Sequence, residues 1–219
     1  MKPLPESVQA VVFDLDGTLL DTAPEFVYVV QQLVREHDRE PLPEDAIRAT
    51  VSDGARAMVS LALDISPEDE GFESQRLRFL EIYQQQLGSN TLPYPGITQL
   101  LEQLVKDGIA WGISTNKPSY LTNPLIESLA FTYPPASIVC PDHVQQPKPH
   151  PEPLLLNAEQ LECDPKAMIY VGDHLRDIQA GNAAGMYTIA AAYGYIHSAS
   201  EPASWRADAI AVSSQDLIK

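Results

Sequence analysis

The stretch VQAVVFDLDGTL, residues 8–19, decides the fold of this chain. It opens with a short apolar run, residues 8–13, whose β-branched side chains predict a buried strand. The run stops at two carboxylates, Asp14 and Asp16, and a glycine and a threonine follow them. In an open α/β sheet, ligands bind outside the carboxyl ends of the strands. The stretch therefore predicts a buried strand that delivers polar groups at its carboxyl end.

Beyond residue 90 the sequence alternates between short apolar runs and amphipathic segments. This alternation is typical of a parallel sheet covered by helices on both faces. The further predicted strands are residues 109–114, 137–140, 167–171, 187–191 and 209–212, and the predicted helices are 97–105, 120–129, 153–161 and 175–184. We expect a Rossmann-like, doubly wound α/β core domain formed by residues 1–20 and 91–219.

Residues 21–90, called the insertion below, have a different character. Apolar side chains recur there at helical spacing, as at Phe26, Val29 and Leu33, and no segment has the pattern of a strand. Prolines divide the stretch into about four helices. We expect a helical-bundle cap domain inserted after the first strand and placed over the strand ends. Its hinges should lie near residues 19–22 and 89–95.

Polar side chains follow four of the predicted strands, and the expected topology brings these strand ends to one crevice. In chain order the side chains are those of Asp14, Asp16, Thr115, Asn116, Lys117, Lys148, Asp173 and Asp177. Carboxylates gathered in one place repel one another, and a divalent cation relieves the repulsion. All-oxygen ligands indicate Mg²⁺ first. A carboxylate beside a bound phosphate can act as a nucleophile, and a second one can act as a general acid.

Four segments resemble, in order, the motifs of the haloacid dehalogenase superfamily. They are residues 13–19 (FDLDGTL), 114–118 (STNKP), 148–153 (KPHPEP) and 171–178 (VGDHLRDI). The helical insertion is similar to the small helical cap of that superfamily. The resemblance implies a Mg²⁺-dependent phosphomonoester hydrolase that works through an aspartyl-phosphate intermediate.

The resemblance also implies catalytic roles for the matched residues. Asp14 would be the nucleophile that accepts the phosphoryl group. Asp16 would protonate the leaving group and then activate water. Thr115 and Lys148 would bind the phosphoryl oxygens.

The implied metal ligands are Asp14, the main-chain carbonyl of Asp16, and Asp173, with Asp177 in or just behind the coordination shell. Substrate contacts are expected from Asn116 and Lys117 in the core. Gly54 and Arg56 stand at a predicted helix start in the insertion, where a loop that reaches into the site would read the far end of the substrate. The alternative for these two is a plain turn with a solvated arginine.

The layout as a whole resembles that of phosphoglycolate phosphatases. A narrower similarity, to N-acetylmuramic acid 6-phosphate phosphatases, rests on residues 52–59 (SDGARAMV), 140–144 (CPDHV) and 193–197 (YGYIH). Two alternatives stay open. A phosphosugar mutase would use the same core chemistry. A non-catalytic, phospho-accepting domain of receiver type would also use strand-end acids, a threonine and a lysine.

Composition limits the partners that we expect. The chain has 219 residues, with 14 Lys and Arg against 30 Asp and Glu, a formal charge of -16. Such a chain is a poor ligand for nucleic acid or an anionic membrane surface. Two cysteines, no signal-peptide pattern and no membrane-length apolar run indicate a cytoplasmic location. We therefore expect a small-molecule phosphate as the partner, and a monomer or a homodimer.

Overall fold

The computed structural model describes residues 3–196 and 201–218. Its strands, in chain order, are β1 (Ala10–Phe13), β2 (Leu20–Asp21), β3 (Leu92–Pro93), β4 (Ala110–Ser114), β5 (Ser137–Val139), β6 (Met168–Gly172), β7 (Tyr187–Ala191) and β8 (Ala209–Ala211). Six of them form one sheet in the order β5-β4-β1-β6-β7-β8, and every neighbouring pair is parallel.

The helices are α1 (Ala23–Glu36), α2 (Glu44–Thr50), α3 (Gly54–Leu63), α4 (Phe72–Gln86), α5 (Ile97–Lys106), α6 (Ser119–Leu129), α7 (Glu152–Gln160) and α8 (Leu175–Ala184). Each strand and helix predicted for the core is present, with ends within two residues of those expected. The predicted α/β fold class with a parallel sheet is confirmed.

β1 lies in the middle of the sheet, and its side chains alternate between two apolar layers. Val11 and Phe13 pack with apolar residues of α5 and α6, while Ala10 and Val12 pack with those of α7 and α8. Because both faces are covered, the strand is apolar throughout. The loops after β1, β4 and β6 emerge side by side at the carboxyl edge, and Asp14 begins the first of them.

Helices α1 to α4 occupy the insertion, and their apolar side chains form a cluster of their own. The buried members include Phe26, Val29, Val30, Leu33, Ile47, Met58, Val59, Phe79 and Tyr83. Leu121 of α6 and Tyr195 from the core also pack against this cluster. The four helices agree with the predicted number. The division into two domains at residues 21 and 90 stays a prediction.

The two segments expected to act as hinges contain strands that the sequence did not indicate. β2 and β3 pair with each other as an antiparallel ribbon, with Leu20 opposite Pro93 and Asp21 opposite Leu92. The chain leaves the core through one of these segments and returns through the other. The insertion is therefore joined to the core at a single place. The hinge role itself stays a prediction.

No helix in the ranges 3–196 and 201–218 has the length and apolar character needed to cross a bilayer.

The packing of the insertion can be tested with two leucines. Leu33 of α1 is fully buried, whereas Leu77 of α4 is 56% exposed. We expect Leu33→Ala to lower the free energy of unfolding by about 2–5 kcal/mol, because it leaves a cavity in the cluster. Leu77→Ala should change it by less than about 0.5 kcal/mol. Urea unfolding followed by far-UV circular dichroism measures both, and equal losses would contradict the described packing.

Candidate active site

Three carboxylates converge beyond the carboxyl edge of the sheet. Asp14 follows β1, Asp173 follows β6, and Asp177 lies in the first turn of α8. One oxygen of each lies within 4.8 Å of an oxygen of the other two. Asp173 and Asp177 are buried, and the Asp14 side chain is only 15% exposed. Like charges this close and this poorly hydrated are unfavourable without a compensating cation.

Lys148, from the loop before α7, supplies one positive charge to this group. Its Nζ lies 2.9 Å from Asp14 Oδ1 and 2.8 Å from Asp177 Oδ1. The same amine donates to the Ser114 carbonyl oxygen and to the Tyr170 hydroxyl, each at 2.8 Å. Among the described residues, Lys148 is the cation that forms ion pairs with these carboxylates. A single positive charge therefore faces three carboxylates.

The charge imbalance shows in the acidities of the carboxyl groups. Burial, followed by the charge of Asp177, raises the pKa of Asp14 from 3.8 to about 6, although Lys148 acts in the opposite direction. Burial, together with the charges of Asp14 and Asp177, raises the pKa of Asp173 well above its ordinary value. A divalent cation would offset this excess of negative charge.

The donor atoms fit a hard cation such as Mg²⁺, because all of them are oxygens. Both oxygens of Asp177 are already engaged, Oδ1 by Lys148 and Tyr170 and Oδ2 by the main-chain N–H of His174 at 3.0 Å. Asp173 Oδ2 is engaged as well, but its Oδ1 meets only a long contact, from the Thr18 hydroxyl at 3.5 Å, among the described residues. Asp177 therefore suits a place behind the direct ligands. The remaining candidates are Asp14, Asp173 and the main-chain carbonyl of Asp16.

The side chain of Asp16 makes different contacts from those of the three clustered carboxylates. Its Oδ1 accepts hydrogen bonds from the Thr22 hydroxyl at 2.7 Å and from Lys117 Nζ at 2.9 Å. It lines the same cavity as Asp14. Two carboxylates separated by one residue thus have distinct partners, which suits two distinct chemical roles.

The turn after β4 carries Thr115, Asn116 and Lys117. Thr115 Oγ1 accepts a hydrogen bond from the Lys117 main-chain N–H at 3.1 Å, and a hydroxyl group that accepts can also donate its own proton. Asn116 Nδ2 donates to the Lys148 carbonyl oxygen at 3.0 Å and ties the two loops together. Lys117, expected to contact substrate, directs its amine to Asp16 instead, and its contact with substrate stays a prediction.

A cavity of about 350 Å³ separates the carboxyl edge of the sheet from the insertion. Asp14, Asp16, Thr115 and Lys148, the four predicted catalytic residues, all line it. The residues predicted to contact substrate line it too, namely Gly54, Arg56, Asn116 and Lys117. The structure also places Arg76, Tyr83, Tyr120 and Arg176 in the wall, and the sequence analysis missed these.

The 3₁₀ turn Val51–Asp53 of the insertion reaches the carboxylate group directly. The Ser52 hydroxyl donates to Asp173 Oδ2 at 3.0 Å, and Arg176 of α8 donates to the Ser52 carbonyl oxygen. Asp53 lies 3.5 Å from His174 Nε2. These partners are more than 120 residues apart in sequence, so no local pattern could have indicated them.

Two glycines, Gly17 after β1 and Gly194 after β7, let the main chain approach Asp173 closely. A Cβ at Gly17 would lie 2.1 Å from Asp173 Oδ2, and one at Gly194 would lie 2.3 Å from Asp173 Cβ. The Tyr195 main-chain N–H donates a hydrogen bond to Asp173 Oδ2 at 2.8 Å. Part of the segment 193–197 thus belongs to the site, while His197 lies outside the described residues.

Comparison with known proteins places this geometry in a family. The haloacid dehalogenase-like hydrolase family matches residues 11–191. An N-acetylmuramic acid 6-phosphate phosphatase of Pseudomonas aeruginosa is 44% identical over 211 residues, which cover 96% of this chain and 93% of that protein. A phosphoglycolate phosphatase of Xylella fastidiosa is 36% identical over 204 residues, or 92% and 88% of the two chains.

A solved structure supports the fold alone. The crystal structure of a predicted phosphoglycolate phosphatase from Haemophilus somnus superposes with a TM-score of 0.85, at 23% identity, over 96% of each chain. The family match covers most of this chain, and phosphatases align with nearly all of it. The resemblance found in the sequence motifs is therefore confirmed, and the chain belongs to the haloacid dehalogenase-like hydrolase family.

Proposed function

We propose that this protein is a Mg²⁺-dependent phosphatase that hydrolyses a small organic phosphate monoester through an aspartyl-phosphate. One observation carries the proposal. Asp14 lines the cavity beside Lys148 Nζ at 2.9 Å, within a group of carboxylates that one lysine cannot neutralise. A nucleophile, a cation for the phosphoryl oxygens and a metal site are thereby held together.

Asp14 attacks the phosphorus atom and forms the aspartyl-phosphate, while Asp16 gives a proton to the leaving oxygen. Lys148 and the Thr115 hydroxyl stabilise the charge on the phosphoryl oxygens. Asp16, now ionised, then takes a proton from a water molecule, which attacks the phosphorus atom. The bond to Asp14 breaks, and inorganic phosphate leaves. Asp14, Asp173 and the main-chain carbonyl of Asp16, with Asp177 behind them, would hold Mg²⁺, which would supply the positive charge that lets an anionic phosphate approach a carboxylate.

For the substrate we propose N-acetylmuramic acid 6-phosphate, with 2-phosphoglycolate as the second candidate. The relatives aligned over most of the chain carry these two names. A cavity of about 350 Å³ favours the larger amino sugar, since the smaller acid would leave much of the wall without contact. Both compounds carry a carboxylate besides the phosphate, and Arg56 lines the wall of the insertion. We place the reaction in the cytoplasm.

The family membership favours an enzyme over a receiver-type signalling domain. A phosphosugar mutase would share the first half of the reaction but would return the phosphoryl group to a second hydroxyl. Release of inorganic phosphate in proportion to substrate consumed therefore separates the phosphatase from the mutase.

The nucleophile is tested by Asp14→Asn. We expect kcat to fall by at least about a thousandfold, because the amide cannot form the acyl phosphate. Phosphate release from N-acetylmuramic acid 6-phosphate measures the loss, and circular dichroism checks that the fold is kept. Wild-type activity should vanish in EDTA and return with Mg²⁺. Turnover by the variant, or turnover that survives chelation, would contradict the mechanism.

The raised pKa of Asp14 predicts that, in EDTA, the difference in unfolding free energy between Asp14→Asn and the wild type depends on pH. Because the folded-state pKa of Asp14 is raised from 3.8 to about 6, its ionisation destabilises the metal-free fold at neutral pH. Asp14→Asn should therefore be more stable than the wild type at pH 7.5, by on the order of 3 kcal/mol. The difference should shrink as the pH falls through 6 towards 4, where the wild-type carboxyl group is protonated. Urea unfolding across this range measures it, and a difference that grows in acid would contradict the charge imbalance.

The carboxylate contact is tested by Arg56→Gln with two matched substrates. N-acetylglucosamine 6-phosphate lacks the lactyl carboxylate of N-acetylmuramic acid 6-phosphate. We expect the variant to lose about tenfold in kcat/KM for the muramic compound, through one charged hydrogen bond, and little for the glucosamine compound.

Arg78→Gln serves as the control for Arg56→Gln, because Arg78 pairs with Glu36 and Glu81 at 2.6 Å, away from the cavity. It should leave kcat/KM for both substrates at the wild-type value. If Arg56→Gln lowers kcat/KM equally for the two substrates, Arg56 does not read the carboxylate.

A further inference from the structure

Lys117 lies where the core meets the insertion, and its ammonium group is enclosed from both sides. The side chain is 5% exposed, and Nζ is 2.9 Å from Asp16 Oδ1. On the other side, Nζ lies 5.0 Å from the centre of the Phe26 ring and 4.7 Å from that of Tyr83. A cation at these distances from aromatic faces is attracted to them, and more strongly where water is excluded.

The two rings form one stacked surface. Phe26 and Tyr83 stack with their centres 4.3 Å apart and an angle of 17° between their planes. Phe26 belongs to α1 and Tyr83 to α4, so both come from the insertion. Asp16 and Lys117 come from loops of the core. Lys117 thus links an aromatic pair of the insertion to an ion pair of the core.

The ion pair also fixes which oxygen of Asp16 is available. The contacts from Lys117 and from the Thr22 hydroxyl both fall on Oδ1. Among the described residues no hydrogen bond falls on Oδ2, which is left to carry the proton that passes to the leaving oxygen. After that transfer, Lys117 stabilises the carboxylate that Asp16 becomes. If the ammonium group moved away, Asp16 would lose both its orientation and this stabilisation.

We propose that Phe26 and Tyr83 are positioning residues for proton transfer. The aromatic pair of the insertion holds the Lys117 ammonium against Asp16 and thereby fixes the direction of the acid–base carboxyl group. This inference rests on the proposed function, in which Asp16 gives its proton to the leaving oxygen.

The inference makes a prediction about leaving groups. An alkoxide leaving group needs a proton as its bond to phosphorus breaks, whereas p-nitrophenolate leaves readily without one. A defect in the alignment of Asp16 must therefore slow alkyl phosphates more than p-nitrophenyl phosphate. The quantity to compare is kcat/KM, because it covers the steps up to loss of the leaving group and omits hydrolysis of the aspartyl-phosphate.

The test is Phe26→Leu, assayed with N-acetylmuramic acid 6-phosphate, 2-phosphoglycolate and p-nitrophenyl phosphate. We expect kcat/KM for the better alkyl substrate to fall about tenfold, the loss of one buried cation–π contact, and that for the aryl substrate to stay within about twofold. Phe26→Tyr keeps the ring and should restore the wild-type ratio. Tyr83→Leu should repeat the selective loss.

Phe79→Leu is the matched control. Phe79 is fully buried, and its ring is parallel to that of Phe26 within 8°, with the centres 6.3 Å apart. Phe79→Leu removes the same side-chain volume from the same cluster as Phe26→Leu does. It leaves both rings that face Lys117 in place. The ratio of alkyl to aryl kcat/KM should stay at the wild-type value in this variant.

The other outcomes overturn the inference at different levels. An equal loss for alkyl and aryl substrates in Phe26→Leu would show a structural role only. A wild type inactive on all three, with Mg²⁺ present, would overturn the proposed function itself.

Discussion

The repulsion among Asp14, Asp173 and Asp177 is the constraint on which the rest of the site depends. Their oxygens are within 4.8 Å of one another, and Lys148 balances only part of their charge. A protein that gathers buried carboxylates in this way gives up stability unless a cation joins them. Much of the surrounding structure holds these groups in place, including the Tyr170 hydroxyl and the N–H groups of the nearby loops.

The parallel sheet explains how distant parts of the chain meet at this point. Strands β1, β4 and β6 are neighbours, so the loops after them open on the same edge although they lie far apart in sequence. Every such loop adds a polar group to the site. The helices on both faces of the sheet exclude water from the strands. The chemistry thus occupies loop positions on a rigid support, where side chains can be exchanged without loss of the sheet.

Much of this arrangement could be predicted from the sequence. The apolar run before Asp14 and the alternation after residue 90 indicated the strands and helices, because these patterns depend on local spacing. The residues predicted to be catalytic line one cavity for the same reason, since topology fixes where strands end. The assignment of individual roles stays a set of predictions.

The parts that could not be predicted depend on long side chains and on the seating of the insertion. Nothing local indicates that Lys117 would turn to Asp16 or that Ser52 would reach Asp173 across 121 positions. A lysine has several rotatable bonds, and its direction is decided by the groups that surround it after folding. The β2–β3 ribbon was missed because two paired residues in each strand leave no periodic pattern.

That ribbon has a consequence for how such a protein can change over evolutionary time. Because Leu20 and Pro93 lie opposite each other, everything between them is a loop with adjacent ends. A segment anchored in this way can lengthen, shorten or be exchanged for another without shifting a strand of the sheet. New substrate preferences can then arise by changes within this one module that keep the aromatic pair at Lys117 and the contact of Ser52 with Asp173, while the loops that carry Asp14 and Lys148 keep their sequence.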